Sequence, residues 1–173
     1  MSPALVQSLR FVHIVAGSFW VGAASVLAFF VLPTMLAADI TGARLMKNIM
    51  ITRNLRFYSL GAMLLTLASG AYLYWGRFAQ TAGGQMTRPA LDYAIGGFLG
   101  LLAGGIILFV NAPTGTKLGA IIDSTGAATP TAEQSAEITR LSRKLLIATR
   151  MVAILVLGAA SFMALARFAS NGT

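Results

Sequence analysis

Four long stretches of the chain carry almost no charge, and this feature restricts the fold more than any other. Each is long enough for a membrane-crossing helix, which needs about 20 mostly apolar residues. None shows the polar–apolar alternation of a membrane strand. The sequence therefore predicts an all-α, polytopic membrane protein, a bundle of four transmembrane helices. The charges that bound the four stretches are Arg10 and Asp39, Arg56 and Arg77, Asp92 and Lys117, and Lys144 and Arg167.

We expect one domain over residues 1–173, surrounded by a lipid bilayer. The predicted spans cover about residues 10–33, 57–77, 93–112 and 145–167. The segments between them, about 37–56 and 113–144, are predicted to extend from the membrane on one side. The apolar run after Arg10 is too long for a cleaved signal peptide, and it reaches Pro33 without a small-residue cleavage pattern.

Composition excludes several kinds of site. The chain is 57% hydrophobic and 10% charged, whereas soluble domains carry roughly 25% charged residues. It has no cysteine, which excludes disulfides, thiolate metal sites and iron–sulfur clusters. A single histidine excludes a histidine-rich metal cage within one chain. Five acidic residues, none of them mid-span, argue against a proton-coupled transporter.

The net charge of +8 predicts membrane orientation rather than nucleic-acid binding, because the basic residues lie between apolar segments. The loops after the first and third spans hold most of the lysines and arginines. The positive-inside rule then places both loops in the cytoplasm and both termini outside, an N-out/C-out topology. We expect a multi-pass protein of a bacterial inner membrane.

Several local signals predict where helices begin and end. Thr131 and Gln134 resemble a capping box, so the fourth helix is expected to begin near Thr131 and to project from the membrane. Residues 37–56 are predicted to extend the second helix, and residues 111–130 to be the least regular part of the chain. We expect Pro33 to bend or end the first helix and Asn111 to cap the third.

The third span carries glycines at a spacing of four. Gly96, Gly100 and Gly104 fall on one helix face, and such small-residue faces let helix backbones approach closely in lipid. We expect this face to serve helix packing rather than a ligand. The pattern leaves open whether the packing is internal or builds a homodimer.

His13 is the main candidate for chemistry. Arg10, His13, Gly17 and Trp20 share one helix face near the predicted outer boundary. Gly17 leaves room beside the imidazole for a flat ligand or another helix. Ionisable groups inside a span are costly, which makes His13 a functional candidate. The alternative is a neutral histidine hydrogen-bonded to a neighbouring helix.

Three further residues are candidates, and the first two of them have both a functional and a structural interpretation. Asp92 is expected at a depth similar to that of His13, where it would orient the imidazole; alternatively it caps the third helix. Met163 is the span methionine placed to join His13 as a haem or copper ligand, with core filling as the alternative. Arg150 is expected to extend to the inner headgroups.

The stretch "LRFVHIVAGSFWVGAASVLAFFVLPTM" resembles the first helix of a group of small bacterial membrane proteins. The group includes copper-resistance D (CopD-type) domains, membrane parts of urate oxidase–cytochrome fusions and HemJ-like protoporphyrinogen oxidases. The matching residues are His13, Trp20 and Gly22, and "RLSRKLLIATRMVAILVLGAASFMALARF" is similar to the last helix of the group. The resemblance implies membrane chemistry linked to haem or copper, with His13 as the residue carried over.

Two functions follow from these observations. The first is a redox-associated membrane protein that binds haem b or copper through His13. Bis-histidine ligation would need a homodimer or a partner's ligand, because one chain has one imidazole. The second is a non-enzymatic accessory or assembly subunit of a membrane complex, docking through the glycine face and the projecting helix near Thr131. Whether the chain is an enzyme is left open.

Overall fold

The computed structural model describes residues 2–76, 87–126 and 128–169, the last three by their backbone alone. In these ranges the chain forms helices and no strands. We number the helices α1 (Pro3–Ala37), α2 (Asp39–Lys47), α3 (Leu55–Tyr74), α4 (Arg88–Thr125) and α5 (Ala132–Ala169). All except α2 are long and apolar enough to cross a membrane, which confirms the all-α bundle with four candidate transmembrane helices.

The four long helices form an antiparallel ring. The most extensive contacts join α1 to α3 and α4 to α5, and smaller contacts join α1 to α5 and α3 to α4. Helices α1 and α4 therefore lie at opposite corners. The start of α1 and the end of α5 lie at one end of the bundle, which we call the terminal end; the other is the cap end.

The core of the ring is built largely from alanine. Small side chains allow helix backbones to approach closely. Close packing stabilises helix association in lipid, where the hydrophobic effect contributes little. Trp20 and Met63 fill the remaining space. The fully enclosed cluster contains Ala16, Trp20, Ala24, Ala28, Ala62, Met63, Ala103, Val152, Ala153 and Val156.

The glycine face of α4 packs inside the bundle. A Cβ atom at Gly96 would lie 3.0 Å from the Ala159 carbonyl oxygen of α5. A Cβ atom at Gly100 or Gly104 would lie 3.3–3.4 Å from Leu67 of α3. All three glycines are buried. The face predicted for helix packing thus holds α4 against two neighbours, and a homodimer could not use it without opening the bundle.

Asn111 does not cap a helix end, so that prediction is wrong, and of the two alternatives for Pro33, a bend or an end of the first helix, the end is wrong. A π-helical turn, Leu27–Val31, precedes Pro33, and α1 continues to Ala37. A second π turn, Ile107–Asn111, precedes Pro113, and α4 continues to Thr125. A wider π turn accommodates a proline ring that would clash with the carbonyl four residues earlier in an α-helix.

The π turn and Pro33 together leave the Ala28 carbonyl without a backbone donor from its own helix. The N–H of Leu32 bonds to the Leu27 oxygen, one residue further back than in an α-helix. Pro33 has no N–H to offer in its place. The carbonyl of Ala28, a fully buried residue, is the group that loses its donor.

Arg150 supplies the missing donor. Its Nε lies 3.4 Å from the Ala28 oxygen, a hydrogen bond from α5 to α1. An unpartnered carbonyl in the bilayer core is costly, so this contact explains an arginine inside a predicted span. The extension of Arg150 to the inner headgroups stays a prediction, because Nε alone makes this contact and the side chain is exposed.

The cap end is a small helical layer with its own apolar cluster. It joins α2, the last turns of α4 and the first turns of α5. Residues 111–130, predicted to be the least regular part of the chain, belong mostly to helix α4. Lys47 forms an ion pair with Asp123. The Arg44 guanidinium donates to the carbonyls of Gly126 (2.8 Å) and Ala128 (3.0 Å). The buried cluster is Ala43, Leu118, Ile122, Ile138 and Leu141.

The start of α5 agrees with the capping box predicted at Thr131. The Gln134 N–H lies 3.2 Å from the Thr131 hydroxyl, and the Thr131 N–H lies 2.9 Å from the Gln134 side-chain oxygen. This reciprocal pair confirms the capping box.

Residues 37–56 do not extend the second predicted helix. They contain the separate helix α2 and a π turn, because Asn54 adopts a left-handed conformation (φ 57°) that interrupts the helix before α3.

The Arg150 contact can be tested with a double-mutant cycle. Arg150→Gln should lower the free energy of unfolding by about 1 kcal/mol, the scale of hydrogen bonds between membrane helices. In a Pro33→Ala background the same change should have a smaller effect, because the new N–H or a restored α turn gives the Ala28 carbonyl a donor. Equal effects in both backgrounds, measured by denaturant unfolding in detergent, would contradict the assignment.

Candidate functional site

His13 lies between α1 and α3 near the terminal end, half-buried. Its Nδ1 is 2.9 Å from the backbone oxygen of Thr66. A carbonyl oxygen only accepts hydrogen bonds, so Nδ1 must carry the proton. In the neutral ring, the lone pair then resides on Nε2. The structure thus assigns the tautomer of the one imidazole in the chain.

Ser69 stands beside the same ring nitrogen. Its hydroxyl oxygen is 3.3 Å from Nδ1, and its own proton is donated to the carbonyl of Leu65, one turn earlier in α3. The oxygen lone pairs of Ser69 therefore face the N–H of His13. Two acceptors on one helix hold the ring in a fixed orientation.

Two glycines make the close approach possible. A Cβ atom added to Gly70 would lie only 2.7 Å from the ring carbon Cε1 of His13, so the imidazole rests against bare backbone. A Cβ atom at Gly17 would lie 3.4 Å from the Thr66 methyl group. The room predicted beside Gly17 is therefore taken by helix α3.

The second ring nitrogen of His13 has no partner among the described residues. Nε2 makes no hydrogen bond, and it is not one of the fully buried polar atoms that lack a partner. It is therefore not completely enclosed by the helix pair. The imidazole is fixed by the protein through one nitrogen and presents the other.

The predicted stripe of four residues divides between two surroundings. Trp20 is 4% exposed and belongs to the alanine-rich core, where its indole Nε1 is buried without a partner. Arg10 is exposed and forms no ion pair within the described ranges. His13 and Gly17 lie against the Thr66–Gly70 turn.

Asp92 is not joined to His13. It is the fifth residue of α4, half-buried, and it lies in the helix at the opposite corner of the ring from α1. No hydrogen bond or ion pair links the two side chains in the described structure. The alternative prediction that Asp92 caps this helix is also wrong, because Thr87 is the N-cap.

Met163 packs in a different helix pair from His13. Its Cγ and Cε lie 3.0 and 3.2 Å from the position a Cβ would take at Gly96. This contact belongs to the α4–α5 interface, in agreement with the core-filling alternative. The described residues contain no cluster of three or more histidine, aspartate or glutamate side chains that could hold a metal ion. Arg77 and the side chain of Arg167 lie outside the described part of the chain.

The residues that surround His13 were not singled out from the sequence. Thr66, Ser69 and Gly70 occupy little more than one turn of α3 and read as ordinary span residues. A usable signal was the antiparallel pairing expected of two consecutive spans. It brings the start of the first span against the end of the second, where a small and polar run, "TLASG", stands at residues 66–70.

No family model, curated protein or solved structure matches this chain. The assignment of the site therefore depends on its own geometry.

The close approach at Gly70 predicts the effect of a single methyl group. Gly70→Ala should displace the imidazole from Thr66 and lower stability by about 1–3 kcal/mol, as overpacking does. The freed ring should also react faster with diethyl pyrocarbonate, and one histidine per chain makes the modification easy to count by mass spectrometry.

Gly61→Ala is the matched control, because nothing lies within 4 Å of a Cβ atom at Gly61 in the same helix. It should leave both the stability and the reaction rate near those of the wild type. If the two variants behave alike, the contact between Gly70 and His13 is not present in the membrane protein.

Proposed function

We propose that this chain is a small multi-pass protein of a bacterial inner membrane that binds haem b through Nε2 of His13. The observation that carries the proposal is the hydrogen bond from Nδ1 to the Thr66 carbonyl. Histidines that ligate metals almost always donate their other N–H to a carboxylate, a backbone carbonyl or water. That bond sets the tautomer, orients the ring and raises the basicity of the free nitrogen.

The surroundings of His13 suit haem better than copper. Haem iron needs only one or two axial ligands from protein, whereas a copper site is built from several imidazole or sulfur ligands. His13 is the single imidazole of the chain, and Met163 packs against α4. One nitrogen that is not completely enclosed by a helix pair can serve as an axial ligand but does not make a copper site.

The proposal implies a homo-oligomer. A chain with one histidine supplies one imidazole, and Nε2 of the half-buried His13 makes no hydrogen bond with the described residues. We infer that two copies contribute one His13 each to a shared haem. Bound haem would supply one-electron transfer, while Thr66 and Ser69 keep each imidazole oriented.

The resemblance of the first helix to CopD-type and HemJ-like proteins supports the same proposal, because His13 is the residue that it carries over. The accessory-subunit hypothesis has less support. Its two docking surfaces were the glycine face of α4 and the start of α5. The glycine face contacts Leu67 and Met163 inside the chain. The first turns of α5 are mostly exposed and pack into the cap layer through Ile138 and Leu141.

Absorption spectroscopy of protein purified from its native membrane tests the proposal. We expect a Soret band, one haem per two chains, and no stoichiometric copper by metal analysis. His13→Gly should abolish the band, and added imidazole should restore it if the variant is folded. A colourless wild-type protein without bound haem would contradict the proposal.

Asp92→Asn provides the control. Asp92 has no contact with His13 in the described structure, so this variant should retain the Soret band. A loss of haem in Asp92→Asn equal to that in His13→Gly would show that the binding site includes the opposite corner of the ring.

A further inference from the structure

We propose that a groove between α4 and α5 binds an anionic phospholipid of the bilayer. The groove has a volume of about 430 Å³, within the range of about 300–1,000 Å³ that is typical of small-molecule sites. It lies on the outer surface of the bundle toward the cap end. This end is far from His13, and the inference does not depend on the proposed function.

The floor of the groove is apolar. Ile106 and Val110 line it from α4, and Ile147, Ala148 and Met151 line it from α5. Ile147 and Met151 are 62% and 51% exposed, while Ala148 is buried beneath them. A small residue between two larger exposed ones leaves a channel along the helix pair, a shape that suits a hydrocarbon chain.

The rim of the groove is positively charged. Arg140, Arg143 and Lys144 line its cap-end margin on consecutive turns of α5. Glu137 neutralises Arg140 through a bidentate ion pair, with contacts of 2.6 and 2.7 Å. The hydrogen bond from Arg140 holds the pKa of the Glu137 carboxyl below its ordinary value, so this pair stays charged at neutral pH.

Arg143 and Lys144 keep their positive charges unpaired. Both are exposed, and neither forms an ion pair within the residues that the structure describes. Two adjacent free cations above an apolar channel match a ligand with an anionic head and a hydrocarbon tail. Lysines and arginines near the membrane surface attract anionic lipids with about 1 kcal/mol each.

The groove also matches the depth at which a lipid headgroup meets its acyl chains. The predicted fourth span begins at residue 145, so the rim residues lie just outside the hydrocarbon and Ile147 and Met151 just inside it. Charge distribution predicts that this end faces the cytoplasm. The cytoplasmic leaflet is the one that is rich in anionic lipid.

Native mass spectrometry of the full chain, taken from vesicles of phosphatidylglycerol and phosphatidylcholine in equal amounts, tests the site. We expect the wild type to retain phosphatidylglycerol at least tenfold over phosphatidylcholine, given two free cations at the rim. Arg143→Gln with Lys144→Gln should bring this ratio close to one. Val110→Trp, which fills the channel, should reduce retention of both lipids.

Arg53→Gln with Arg56→Gln is the matched control. It removes the same charge from exposed residues on the same side of the bundle, away from the groove, and should keep the tenfold ratio. Inorganic phosphate at millimolar concentration should not displace the bound lipid. Equal retention of the two lipids by the wild type, an equal loss in the control, or displacement by phosphate would each overturn the proposal.

Discussion

A polar group inside a membrane needs a hydrogen-bond partner, and this requirement accounts for the contacts that His13 and Arg150 make within the predicted spans. His13 donates from α1 to the Thr66 carbonyl of α3. Arg150 donates from α5 to the Ala28 carbonyl of α1. A third polar contact, from the Asn111 amide to the Thr149 hydroxyl at 3.2 Å, joins α4 to α5. Polar side chains therefore link neighbouring helices at three sides of the ring.

The Arg150 and His13 contacts differ in whether they leave a nitrogen that can bind a metal. The Arg150 contact gives a hydrogen-bond donor to the Ala28 carbonyl, which the π turn and Pro33 leave without one. This contact explains Arg150 without a further function. The His13 contact uses one nitrogen of a ring that has two. Since Nε2 makes no hydrogen bond with the described residues, a structural bond on one side of the imidazole orients a ligand atom on the other. The two interpretations of His13, helix contact and axial ligand, are compatible with each other.

The sequence predicted the four spans and the start of α5, because uncharged length and a capping box are local signals. It did not predict that helices would continue through Pro33 and Pro113, since a π turn depends on what surrounds the freed carbonyls. The partners of His13 also escaped prediction. Asp92 and His13 have similar expected depth, yet depth does not say which corner of the ring a helix occupies. Only the packing of α1 against α3 places Thr66, Ser69 and Gly70 around the ring.

Solid-state NMR of the protein in lipid, with ¹⁵N-labelled histidine and ¹³C-carbonyl threonine, tests the hydrogen bond of His13 most directly. One histidine gives one pair of ring signals. The structure predicts a proton on Nδ1, none on Nε2 in the neutral ring, and a short-range dipolar contact between Nδ1 and a threonine carbonyl. Thr66→Val should remove that contact, because it removes the label while keeping the backbone bond. A proton on Nε2 alone, or a Nδ1 signal without coupling to any threonine carbonyl, would contradict the account.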